Sequence, residues 1–134
     1  MKLIFTIDKK NGMLFLGKRQ SQDGELRKRL IEITAGNKLW MSNYSAGQFK
    51  DFTGIIADDE YMTKAEADDY CFVEDKPFTM DGVSEVVLCH WNRQYQATTF
   101  FTVDLKGEGF KKVSSENIVG SSHEKITIET YKRG

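Results

Sequence analysis

The stretch EVVLCHW, residues 85–91, decides how the rest of the chain is read. Val86, Val87, Leu88 and Cys89 form an unbroken apolar run, so no alternate position is left to face water. A strand that meets water on one side alternates apolar with polar residues, whereas one covered on both sides does not. The run therefore predicts an interior strand over 85–91. Successive side chains point to opposite faces, which sets Val87 and Cys89 on one side and Val86, Leu88 and His90 on the other.

Downstream, only strand-like segments follow, over 98–103, 110–113 and 125–132. In the last of these Ile126, Ile128 and Thr130 alternate with Thr127, Glu129 and Tyr131, a period of two. Upstream, Lys2–Ile7 reads as a first strand, closed by Asp8-Lys9-Lys10-Asn11-Gly12, where Asn-Gly adopts left-handed dihedrals cheaply. A helix is predicted over 25–34, because Leu26, Leu30 and Ile33 recur at i, i+4 and i+7. Asp23 stands where its N-cap belongs and Gly36 where it should stop. Strands over 38–42, 54–57 and 70–73, with a short helix over 43–50, complete the pattern. Strands alternating with helices early and antiparallel strands late predict an α/β fold. Its central sheet is mixed and mostly parallel, with flanking helices and an antiparallel C-terminal hairpin.

The chain has 134 residues, a single proline (Pro77) and no Ser/Gly-rich linker, so one domain over 1–134 is expected. Nineteen basic residues against twenty acidic ones leave a net charge of −1. That balance gives no global attraction to nucleic acid or to an anionic membrane. Cys71 and Cys89 lie in apolar strand runs, where a thiol behaves as a small buried hydrophobe, and a reducing, cytoplasmic setting is expected. The apolar run at the N-terminus is too short for a signal-peptide core or a membrane span.

The order of elements resembles dihydrofolate reductase, most clearly over 89–133. In that family a buried strand leads through a Phe/Val-x-Gly-Asp-Thr-x-Phe-Pro element to a strand, a polar hairpin and a final alternating strand ending in Tyr-x-Arg or similar. The equivalents here are Tyr95-Gln96-Ala97-Thr98-Thr99-Phe100-Phe101-Thr102, then Phe110-Lys111-Lys112-Val113, then Thr130-Tyr131-Lys132-Arg133. Leu3 to Gly12 looks like the family's opening strand and turn, and Ile33 to Met41 like its first helix end and second strand. The resemblance is to a divergent, shortened form in which the dinucleotide motifs are missing. The family's phosphate-holding Gly-Arg-Lys/His-Thr turn corresponds to Ser42-Asn43-Tyr44-Ser45, and its 2′-phosphate Arg to Ala57, followed by Asp58-Asp59-Glu60. Its Gly-Gly corresponds to Glu74-Asp75. Acidic residues there repel phosphate, so no NADPH and no other cofactor is expected. Counting back from Thr34, Leu26 lands on the family's acidic position, while Thr99 matches the threonine beside it.

Three residues are candidates for ligand binding: Arg19, Asp23 and Thr99. A guanidinium offers a planar donor fork, and Asp23 is the nearest acid. Helix capping competes with ligand binding for Asp23, and solvated loop charge competes for Arg19. His90 is expected to be structural and His123, in the turn Ser121-Ser122-His123-Glu124, exposed and inert. No metal site is expected, because Cys89 and His90 are consecutive on a strand and no Cys-x-x-Cys occurs. There is no Gly-x-Ser-x-Gly elbow and no phosphate-binding glycine loop. The expected function is binding of a small polar or heteroaromatic ligand without NADPH-dependent hydride transfer. Two alternatives stay open: a pterin-type reductase with an altered cofactor mode, and an RNA- or protein-binding module in which Trp91, Asn92, Arg93, Tyr95 and Trp40 stack a base.

Overall fold

A computed structural model describes residues 1–134. The chain opens with β1 (Lys2–Ile7), β2 (Gly12–Phe15) and β3 (Lys18–Arg19), then α1 (Gly24–Ile33) and β4 (Leu39–Met41). Helix α2 (Asn43–Ala46) and a 3₁₀ turn (Gly47–Phe49) lead to β5 (Ile55–Ala57). Next come α3 (Tyr61–Lys64), β6 (Tyr70–Phe72) and β7 (Glu85–His90). The chain ends with β8 (Thr99–Phe100), β9 (Phe110–Ile118) and β10 (Ile126–Arg133).

Seven strands form the main sheet in the order β5-β4-β6-β1-β7-β10-β9. The first five run parallel, and β10 is antiparallel to both β7 and β9. β7 is therefore interior, hydrogen-bonded to β1 on one side and β10 on the other. Its two faces carry two separate cores. Val86 and Leu88 pack with Leu3, Phe5 and Phe101, and Val87 and Cys89 with Leu26, Leu30 and Ile128 beneath α1. The apolar run is explained by burial on both faces. No helix is long and apolar enough to cross a membrane.

The departures from expectation are local. The 98–103 segment contributes only two strand residues, which join β2 and β3 in a separate small sheet of order β3-β2-β8. That sheet turns at Leu16-Gly17, where both residues have positive φ (51° and 79°), as a two-residue hairpin requires. Phe101 is buried against Phe5 with ring centroids 4.8 Å apart, while the adjacent Phe100 is exposed. β9 runs five residues beyond the predicted 110–113, because Ser114 to Ile118 pair with β10 along an edge that needs no apolar alternation. The 43–50 helix divides into α2 and the 3₁₀ turn.

Candidate functional site

Parallel strands deliver their polar loops to one edge of the sheet, and ligands of open α/β folds bind there. At that edge, between the ends of β1, β6 and β7 and the start of α1, lies a small recess of about 10 Å³. Leu26, Leu30, Phe49, Phe72 and Trp91 supply apolar lining, and Thr6, Ser21, Asp23, Arg27, Gln48 and Glu74 supply polar groups.

Arg19 leaves β3 beside this recess with its guanidinium already engaged. Its Nε and one Nη each donate to Glu74, both at 3.1 Å, and the same Nη donates to the Tyr44 carbonyl at 3.2 Å. The guanidinium also lies 4.3 Å from the Tyr44 ring centre. Gln48 Nε2 donates to the second face of Glu74, at 3.1 Å from Oε2. The side chain of Glu74 is only 3% exposed, so this cluster is a buried charge pair closed by hydrogen bonds rather than a loose surface contact.

Asp23 caps α1 as the sequence suggests, accepting from the N–H groups of Glu25 and Leu26. It also reaches across to the loop before β10, where Ser121 N–H, Ser122 N–H and Ser122 Oγ–H donate to it. Burial pushes the Asp23 carboxyl up, but the Ser122 and Ser121 N–H groups, His123 and Leu26 N–H outweigh that and hold it far below the usual carboxylate range. The capping and the site geometry are thus properties of one carboxylate.

His123 is a correction to the sequence reading. It is not exposed; it is 3% accessible, stacked on Trp91 with ring centroids 4.6 Å apart and planes 21° from parallel. Its Nδ1 lies 3.0 Å from Asp23 Oδ2. Its Nε2 lies 3.1 Å from Ser21 Oγ and 2.9 Å from the Tyr95 hydroxyl. No local pattern marks this burial, since the turn around His123 is polar and its partners Ser21, Tyr95 and Asp23 lie 28 to 102 positions away. Ser21, Tyr95, Glu74 and His123 are site residues that stood outside the three expected ligand residues.

The loop is braced from below by Asp8, which is buried and accepts from the N–H groups of Lys10, Gly12 and Tyr95 and from Gln20 Nε2. Desolvation works against its ionised form, yet the donors keep its pKa below the ordinary value. Gly12 is obligatory here, because a Cβ would come within 2.7 Å of Asp8, Ala97 and Gln20 together. The backbone N–H groups of Ser21 and Gln22 meet no acceptor within the protein.

The three expected ligand residues do not converge. Asp23 lines the recess, Arg19 stands next to it in its pair with Glu74, and Thr99 lies exposed on β8 of the small sheet, outside the recess. No group of three metal-ligating side chains is present. Burial pushes the Cys71 thiol up to about 12 and raises that of Cys89 as well, which disfavours the thiolate in both.

No family model matches the chain, and no curated protein matches it. Among solved structures it is similar to the dihydrofolate reductase from Enterococcus faecalis complexed with NADP(H) and RAB-propyl. The TM-score is 0.65 and the identity 14%, over 99% of this chain and 95% of that one. At that identity the likeness shows the fold alone. The fold is that of dihydrofolate reductase.

Proposed function

We propose that this domain binds a small polar or heteroaromatic ligand in the recess beside α1, without NADPH-dependent hydride transfer. The observation that carries the second half is the state of α2. A dinucleotide phosphate in such a fold is held by unpaired N–H groups at a helix start. Here Asn43 N–H donates to Asp59 at 2.9 Å, Ser45 N–H to Ser42 Oγ at 3.1 Å, and Ser42 Oγ–H to Asp75 at 2.6 Å. The Asp59 carboxylate at this helix start would repel a phosphate. Lys64 and Lys76 pair with Asp58 and Asp59, so those cations are engaged as well.

The size of the recess bounds the ligand. Drug-sized ligands need clefts of roughly 300–1,000 Å³, whereas the recess at rest has about 10 Å³, room for about one water, so even a single ring enters only as the lining side chains shift. Phe49, Phe72 and Trp91 suit a flat apolar body, while Thr6, Gln48 and Glu74 fix a polar edge. A thermal-shift screen of single-ring heteroaromatics tests this. A ligand at about 100 times its Kd adds about 2.7 kcal/mol of stability. Gln48→Trp, which places a bulky ring at the mouth, should abolish that gain. Calorimetry should detect no NADPH binding at ordinary cofactor concentrations; a micromolar Kd would replace this reading with that of a reductase.

A further inference from the structure

We propose that Ser21 is a nucleophile, activated by His123 and positioned through Asp23, and that it transfers or hydrolyses small acyl groups. The chain Ser21 Oγ to His123 Nε2 (3.1 Å), His123 Nδ1 to Asp23 Oδ2 (3.0 Å), has the spacing and the atom order of a serine nucleophile with its base and orienting acid. An ionised carboxylate only accepts, so the Nδ1 facing Asp23 carries a proton, and the neutral tautomer compatible with that contact has its lone pair at Nε2, toward Ser21. The ring cannot rotate away: Trp91 covers one of its faces, and the side chains of His123 and Asp23 are 1% and 0% exposed. Ser21, by contrast, is only half-buried and lines the recess. A base held rigid beside a half-buried hydroxyl is the arrangement that acyl transfer needs.

The surroundings supply the remaining parts. The N–H groups of Ser21 and Gln22 have no acceptor within the protein and so are open to bond a ligand oxygen beside Ser21. Leu26, Leu30, Phe72 and Trp91 line the recess beside Ser21, and its water-sized space favours the smallest acyl groups. In the first step Ser21 Oγ bonds to the carbonyl carbon of an ester or thioester and its proton passes to His123 Nε2. The bond to the leaving alcohol or thiol then breaks, and that group takes the proton from Nε2. Water adds to the acyl-serine with His123 again as base, giving a carboxylic acid and free Ser21. No redox change occurs. Tyr95, whose hydroxyl is also within 2.9 Å of Nε2, shares the lone pair in the resting state.

The inference rests on the proposed function only for where the acyl group sits; the nucleophile is tested without any recess ligand. The folded protein is treated with a fluorophosphonate probe, which phosphonylates activated serines with loss of fluoride, and the adduct is located by mass spectrometry. The expected adduct is on Ser21, absent in Ser21→Ala of unchanged melting temperature, and slowed roughly 10²–10⁴-fold in Asp23→Asn, which still caps α1. With p-nitrophenyl butyrate, Asp23→Asn should lower kcat with KM unchanged, which a purely structural acid would not do. No adduct on wild-type Ser21, an adduct on Tyr95 instead, or undiminished labelling of Asp23→Asn would each overturn the assignment. Faster turnover of p-nitrophenyl octanoate than of the acetate would overturn the placement of the acyl group in the recess.

Discussion

Arg19 and Glu74 meet fork to fork, fifty-five residues apart in sequence, with two N–H···O contacts of 3.1 Å and a Glu74 side chain almost sealed from water. Removing one partner of such a pair strands the other charge, and that penalty exceeds the value of the pair itself. Arg19→Ala is therefore expected to cost about 3 kcal/mol in urea unfolding. Adding Glu74→Gln to that variant should recover part of the loss by removing the stranded charge. Arg19→Lys should recover little, since an ammonium cannot form the two-point contact. Unfolding midpoints within error of the parent for Arg19→Ala would show that the pair contributes nothing.

The pH dependence of stability follows from Asp8 and Asp23. For each, burial raises the carboxyl pKa and the surrounding donors lower it further than that. A carboxylate with a depressed folded-state pKa stabilises the protein fully above its unfolded value, about 3.9, and loses that contribution as pH falls toward the folded value. Stability should thus drop on acidification below about pH 4. Asp23→Asn, which cannot ionise, should be less stable at neutral pH and show a shallower drop. Urea titrations across that range measure the slope, and equal slopes for the two proteins would contradict the account.

Leu88 lies 5% exposed on the face of β7 that packs with Phe5 and Phe101. Leu88→Asp would place an unpaired carboxylate there, at a cost of about 4 kcal/mol or more. A circular-dichroism melt should show a strongly lowered or absent transition.

Gly120 passes so close to Asp23 that a Cβ would strike the Asp23 carboxylate and come within 2.8 Å of the His123 carbonyl. Gly120→Ala is expected to destabilise by about 1–3 kcal/mol, as overpacking does. It should also move the His123 ring signals in an NMR spectrum while leaving those of β5 and α3 in place.

The framework was legible because it rests on local periodicity. The apolar run at 86–89, the Leu26/Leu30/Ile33 spacing and the alternation from Ile126 to Tyr131 each state which face is buried. The site was legible only where it coincides with local chemistry, as at Asp23, whose capping role is a matter of its neighbours in sequence. Glu74 and His123 read as polar loop residues because their burial comes from partners 55 and 100 positions away. Thr99 matched a motif by position, but β8 pairs with β2 in the outer sheet and carries it into solvent.

The place of β10 between β7 and β9 has a consequence for how the protein comes into being on the ribosome. Ser21 and Asp23 emerge one hundred residues ahead of His123, which arrives just before that last inserted strand. At roughly 5–20 residues per second, Ser21 and Asp23 are synthesised about 5–20 s before the His123 ring that they contact. Until then Asp23 has only its helix to cap, and β7 has one bare edge. The strand that completes the sheet follows directly on the turn that brings His123 to Asp23.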